Sequence, residues 1–135
     1  MQEVNEEELD YPDDTNALLN GQPFTGRAIE YDDGLPVELT TYIDGREEGP
    51  RLTWSTEGQL LIQGNMSRSH GAVGPWHFWD EDGNLIREHI FDAAGNIRII
   101  REWDETGRII GEERHEALRG NRPVDKENRG PLRWR

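Results

Sequence analysis

The order aromatic, Asp, two residues, Gly, one polar residue, aliphatic occurs three times between residues 79 and 110. Trp79-Asp80…Gly83…Leu85, Phe91-Asp92…Gly95…Ile97 and Trp103-Asp104…Gly107…Ile109 start twelve residues apart. A fourth copy, with Ser55 in the place of Asp, runs from Trp54 through Gly58 to Leu60. Glycines carry the cadence along the chain at 21, 34, 45, 58, 71, 83, 95, 107 and 120, at intervals between 11 and 13. A fixed short period means that one small unit of structure is stacked many times. Twelve residues suit a strand of about seven plus a tight turn. The runs between turns are rich in Ile, Leu, Trp and Thr and lack helical spacing.

The chemistry of Asp80-Glu81-Asp82-Gly83-Asn84 predicts the turn itself. In a type I turn followed by a left-handed residue, the leading Asp accepts backbone hydrogen bonds, and glycine takes positive φ without a Cβ clash. Trp79 then lies opposite Leu85, an aromatic to aliphatic cross-strand pair of a kind that contributes roughly 0.2–1 kcal/mol. The same reasoning sets Trp54 opposite Leu60, Phe91 opposite Ile97 and Trp103 opposite Ile109. The expected fold is all-β, a single antiparallel meander of about twelve-residue strand-turn units, or about 24 residues per hairpin. Residues 1–16 read as an acidic, flexible arm, 17–116 as the meander and 117–135 as an irregular basic tail.

Simple alternation out of these pairs assigns two faces. One would carry Trp79, Leu85, Phe91, Ile97, Ile99, Trp103 and Ile109, with His77, Arg87, His89 and Arg101 between them. The other would carry Trp76, Phe78, Ile86, Ile90, Ile100 and Ile110, interleaved with Glu88, Glu102 and Glu112. Neither face is cleanly polar. A sheet of this kind curls on itself or leaves a face for a partner.

Charge narrows the partners. The formal net charge is −13, which repels nucleic acid and anionic lipid and attracts basic proteins. Residues 1–14 hold seven acids and no base, whereas 117–135 hold six bases and two acids. There is no cysteine, so disulfides and thiolate metal sites are excluded. The acidic N-terminus resembles no secretory signal, and no run approaches the roughly 18 apolar residues of a membrane span, so the expected compartment is the cytoplasm.

The segment "NGQPFTGRAIEYDDGLPVELTTYIDGREEGPRLTWSTEGQLLIQGNM", followed by "GPWHFWDEDGNLIREHIF", resembles the MORN-variant repeats of the YwqK-type bacterial antitoxin family. Asn20, Gly21, Pro23, Phe24, Thr25 and Gly26 match the family's opening. Gly74, Pro75, Trp76 and the turn glycines match its units over about residues 18–115. The family's units are typically lysine-rich with "NGK" turns, whereas these are acidic, and "RSHGAVGPW" replaces the usual linker. The resemblance implies a protein that binds and neutralises a toxin without chemistry of its own, through a partner unlike that of a typical member. Its motifs are structural, so they specify fold more firmly than activity.

Candidate chemistry is sparse. "DEDGN" places its glycine fourth instead of sixth and has no bidentate Glu at position twelve, which excludes an EF-hand. His77 and His89 would share a face with two arginines, a poor cation site. Glu88, Glu102 and Glu112 would share a face in a manner reminiscent of a glycosidase carboxylate pair, yet no insertion builds a cleft around them. Trp54, Trp79 and Trp103 read as repeat-packing residues, and Trp76 and Trp134 as candidates for partner contact. No nucleophile triad, phosphate loop or nucleotide fingerprint occurs, so neither an enzyme nor a cofactor or metal is expected.

The function these features point to is an immunity or antitoxin protein that occludes a basic toxin, such as a nuclease, by stoichiometric binding. Trp76, Asp80, Glu81, Asp82, Glu88, Glu102 and Glu112 would form the contact surface, with charge steering the encounter and aromatic anchors holding it. The alternatives are a repeat scaffold for protein assembly and a carbohydrate-active or carbohydrate-binding protein.

Overall fold

The computed structural model describes residues 1–116; the basic tail, with Gly120 and Trp134, lies outside the described residues. The strands are β1 (Glu3–Asn5), β2 (Leu18–Leu19), β3 (Gln22–Pro23), β4 (Gly26–Asp32), β5 (Leu35–Ile43), β6 (Arg46–Trp54), β7 (Leu60–Ser67), β8 (Gly71–Trp79), β9 (Leu85–Phe91), β10 (Ile97–Trp103) and β11 (Ile109–Arg114). Nine of them form one sheet in the order β1-β4-β5-β6-β7-β8-β9-β10-β11, and β2-β3 is a separate small hairpin. From β4 onward every strand pairs antiparallel with the next in sequence. The protein is therefore all-β, a large meander of consecutive hairpins. No described helix is long and apolar enough to cross a membrane.

Two turn chemistries build all of its hairpins except β7-β8. Asn20-Gly21, Asp33-Gly34 and Asp44-Gly45 all have positive φ at both residues (53°/80°, 53°/81° and 50°/83°), the geometry of two-residue hairpin turns that suits Asn or Asp followed by Gly. The aromatic-Asp-Gly copies use the longer loop. At Asp80 the backbone N–H donates to the Asn84 carbonyl at 2.9 Å, and the Gly83 N–H donates back to the Asp80 carbonyl at 3.1 Å. The Asp80 carboxylate accepts from the N–H of Asp82 and of Asn84 at 3.0 and 2.9 Å. Asp92 and Asp104 repeat the arrangement, and the Ser55 hydroxyl replaces the carboxylate in the fourth loop. Gly58, Gly83, Gly95 and Gly107 all have φ between 82° and 90°.

Each long loop is followed by a bulge, and this overturns the alternation expected above. Trp79 pairs with Leu85, but Phe78 pairs with Arg87, so Ile86 is an extra residue. Leu61, Arg98 and Ile110 are extra in the same way after the other three loops. A side chain's face flips wherever one residue is inserted. The register row Ile29, Leu39, Leu52, Gln63, His77, Glu88, Arg101, Glu112 crosses the sheet on what we call the outer face. The row Glu30, Glu38, Thr53, Ile62, Phe78, Arg87, Glu102, Gly111 crosses it on the inner face. His77 and His89 thus lie on opposite faces, and Glu102 lies opposite in face to Glu88 and Glu112.

The inner face carries two separate cores. Trp76, Phe78, Phe91, Ile97 and Ile100 form one, with Ile62, Met66, Ala72 and Ile86 against it. Trp76 is wholly buried, its indole against the backbone of Gly64 and its Nε1 donating to the Asn65 carbonyl at 3.2 Å. Val4, Leu9, Ala17, Phe24 and Ala28 form the other, with Leu19 and Tyr42. The acidic arm is consequently not free in solvent. Glu3–Asn5 pairs in parallel with Arg27–Ile29, and Val4 and Leu9 are buried. Four apolar residues spaced through an acidic sequence supply the surface that fixes the arm: Val4, Leu9, Ala17 and Phe24.

Candidate protein-binding surface

The residues expected to form one acidic contact surface are divided. Trp76 is a core residue and touches no solvent. The Asp80 carboxylate holds its own turn together, and these backbone N–H donors, with the Asn84 side chain, keep it ionised below the usual carboxylate range. Glu81 and Asp82 are exposed at the tip of that turn, and Glu102 is exposed on the inner face opposite Arg87.

Glu88 and Glu112 do come together, through a cation. His77 Nε2 lies 2.9 Å from Glu88 Oε2, and Arg101 Nη1 lies 2.7 Å from Glu88 Oε1. Arg101 Nε reaches Glu112 Oε1 at 3.0 Å, and Arg114 Nε reaches the other Glu112 oxygen at 3.0 Å. The ladder spans β8 to β11 and its carboxylates are matched by guanidinium groups. It presents little net field to a basic partner, and its value to the fold is the cross-strand pairing of opposite charges.

The unbalanced charge lies elsewhere. Residues 1–48 hold fourteen acids against two bases. Across the Asp33-Gly34 turn, Glu30 falls directly opposite Glu38 on the inner face. Asn5 then delivers a third carboxylate. Its side chain accepts from the Glu7 N–H at 2.9 Å, its N–H donates to Glu8 at 2.9 Å, and these two bonds cap the 3-10 turn Glu6–Glu8 that packs on β4.

Burial first, and then the nearby Glu30, Glu38 and Glu7, raise the Glu6 pKa above its ordinary value. Glu47 is raised by burial, against the pull of Arg51 and with a push from Glu38. Arg51 Nε and Glu47 Oε2 are 3.0 Å apart, yet the pair is not aligned as a hydrogen bond. It is an ion contact, because Coulomb attraction tolerates an angle that a hydrogen bond does not. Tyr11 and Tyr42 border the cluster with hydroxyls 3.3 Å apart, and burial raises both phenol pKa values.

Sequence alone missed this cluster in part. Two glutamates placed about a Asp-Gly turn could have been paired by counting. Glu6 could not, because only the folded arm brings it to β4. Among the described residues, no group of three or more His, Asp or Glu is arranged to hold a metal ion. An open cleft of about 280 Å³ between the β8-β9 and β10-β11 loops is lined by Asn84, Leu85, Trp103, Glu105, Thr106 and Gly107, one carboxylate where a glycosidase uses two.

No family model, no curated protein and no solved structure matches the chain.

Proposed function

We propose that the protein is an immunity or antitoxin protein that neutralises a basic toxin by binding it in stoichiometric amount. The observation that carries this reading is the acidic cluster on the inner face, where Glu30 faces Glu38, Glu6 lies near both, and Glu47, beside Arg51, lies near Glu38. Carboxylates held together in this way lose self-repulsion when a lysine- or arginine-rich surface docks against them. The net charge of −13 steers such a partner from a distance, and half-exposed Tyr11 offers an aromatic contact beside the cluster. The likeness of the opening and the turns to MORN-variant antitoxins supports the same reading. The toxin acts in the cytoplasm on this account, and its basic character fits an enzyme whose own substrate is a polyanion.

The test begins with affinity capture from the native host and co-expression of each captured basic protein with and without this chain. Protection should saturate at one inhibitor per toxin. Glu30→Lys combined with Glu38→Lys should slow association and abolish protection, with dissociation changing less. Clearance of the toxin, or of its product, by substoichiometric inhibitor would mean turnover and would overturn the binding mechanism.

A further inference from the structure

The loops β6-β7, β8-β9 and β10-β11 lie at one end of the meander, and their sequences align position for position: Ser55-Thr56-Glu57-Gly58-Gln59, Asp80-Glu81-Asp82-Gly83-Asn84 and Asp104-Glu105-Thr106-Gly107-Arg108. The last position decides how each loop meets the next. Gln59 reaches across to the second loop, where a Cβ at Gly83 would meet its Oε1 at 3.3 Å. Asn84, its counterpart, is one methylene shorter and is held by its own Asp80 carboxylate, to which Nδ2 donates at 3.2 Å. A Cβ at Gly107 would accordingly meet nothing within 4 Å. The contact that closes the first pair of loops is missing from the second, and the cleft of about 280 Å³ opens there.

Its lining has a definite chemistry. Trp103, which the repeat spacing assigns to packing, belongs to neither buried core. It is half-buried, lines the cleft beside Leu85, and makes no ring contact among the described residues. Glu105 is exposed and has no ion pair or hydrogen bond from its carboxylate among the described residues. That sets it apart from Glu88 and Glu112, which arginines neutralise, and from Asp80 and Asp104, which hold their own turns. Asn84 and Thr106 add an amide and a hydroxyl. The two loops carry five acids and one base, Arg108, and that base does not line the cleft.

We propose that this cleft binds an arginine side chain presented by a protein partner. A guanidinium stacks its plane on an indole, pairs its forked N–H donors with a carboxylate, and has further donors for amide and hydroxyl oxygens. A lysine ammonium has neither the plane nor the fork. An anion is repelled by Glu105 and by Glu81 and Asp82 on the facing loop. The volume lies below the roughly 300–1,000 Å³ of pockets for drug-sized ligands, which suits one side chain of a larger partner. The cleft is built on other strands than the Glu30 and Glu38 cluster, and the inference stands without the toxin reading.

The test is a two-dimensional NMR titration of the full chain with the peptide acetyl-Gly-Arg-Gly-amide. The Trp103 indole N–H and the Glu105 and Thr106 amides should shift along one saturable curve, while the indole N–H of core Trp76 stays in place. The lysine peptide should bind more weakly, and the citrulline peptide, alike in shape but uncharged, at least about tenfold more weakly. Glu105→Gln, at an exposed position, should weaken binding about fivefold or more. Asn84→Gln, which restores the residue that closes the neighbouring pair of loops, should weaken it as well with Glu105 untouched. No saturable shift in the parent would overturn the proposal. So would equal binding of the arginine and lysine peptides that neither substitution changes, which would mean general attraction of cations to an acidic surface. A citrulline peptide that binds as tightly as the arginine peptide would identify a site for uncharged polar ligands and would also overturn it. If a variant displaces the Trp76 resonance, its fold has changed, and the arginine and citrulline comparison on the parent chain decides.

Discussion

Gly64 lies beneath the indole of Trp76, so close that a Cβ at Gly64 would overlap the ring. With no side chain at Gly64, the Trp76 indole packs against the β7 backbone and is wholly buried.

Gly64→Ala should therefore destabilise the fold by about 2–3 kcal/mol, in the range of overpacking a tight core. Denaturant titration followed by tryptophan fluorescence would measure it. A change below about 0.5 kcal/mol would mean that the indole relocates without cost.

Gly95 and Gly107 occupy equivalent turns with φ of 82° and 86°, yet only at Gly95 would an added Cβ strike a neighbour, the His70 backbone carbonyl. Both alanine substitutions incur left-handed strain of about 1 kcal/mol. Gly95→Ala should cost clearly more than Gly107→Ala in thermal unfolding. Equal losses would show that the β7-β8 loop yields freely.

His89 is buried between Phe78 and Phe91, at centroid distances of 5.1 and 6.3 Å, and its Nδ1 has no hydrogen-bond partner among the described residues. Burial, with Arg87 nearby, lowers its pKa from 6.5 to about 4. The unfolded chain thus takes up the proton first as pH falls. Stability from neutral His89 is full above pH 6.5 and is lost between 6.5 and 4. At 1.36 kcal/mol per unit the loss is at most about 3 kcal/mol. In His89→Leu, unfolding free energy should vary less over that window.

The arm should respond to acid in the opposite sense. The Glu6 pKa is raised in the folded state, so its ionisation opposes docking at neutral pH, and this opposition fades as pH falls through the folded value. Glu38→Gln should slow hydrogen exchange at Val4 and Asn5 near neutrality and have little effect in acid. Faster exchange at neutrality would show that Glu38 holds the arm instead of repelling it.

What the sequence disclosed was local. Asp80, Gly83 and their counterparts specify a turn by their own chemistry, and Trp79 finds Leu85 because a five-residue loop separates them. The bulges at Leu61, Ile86, Arg98 and Ile110 left no comparable mark, since an aliphatic or basic residue one past the turn serves a flat ladder equally well. One uncounted residue then moved Glu88 and Arg101 onto a shared face and made a salt-bridge ladder from what alternation had separated. Trp76 reads as an irregular tryptophan only until Gly64 is seen beneath it. The arm was masked by its own composition: seven acids in fourteen residues outweigh Val4 and Leu9 in any average, although those two side chains decide where the segment goes.

Because strand order follows chain order from β4 to β11, each strand leaving the ribosome meets a partner made moments before. Nearly all the sheet can assemble by short-range zipping, a topology associated with rapid folding. Only β1 must wait, since its parallel neighbour β4 is synthesised some twenty residues later. Until β4 emerges, the acidic arm lacks the strand that its Glu3–Asn5 segment pairs with.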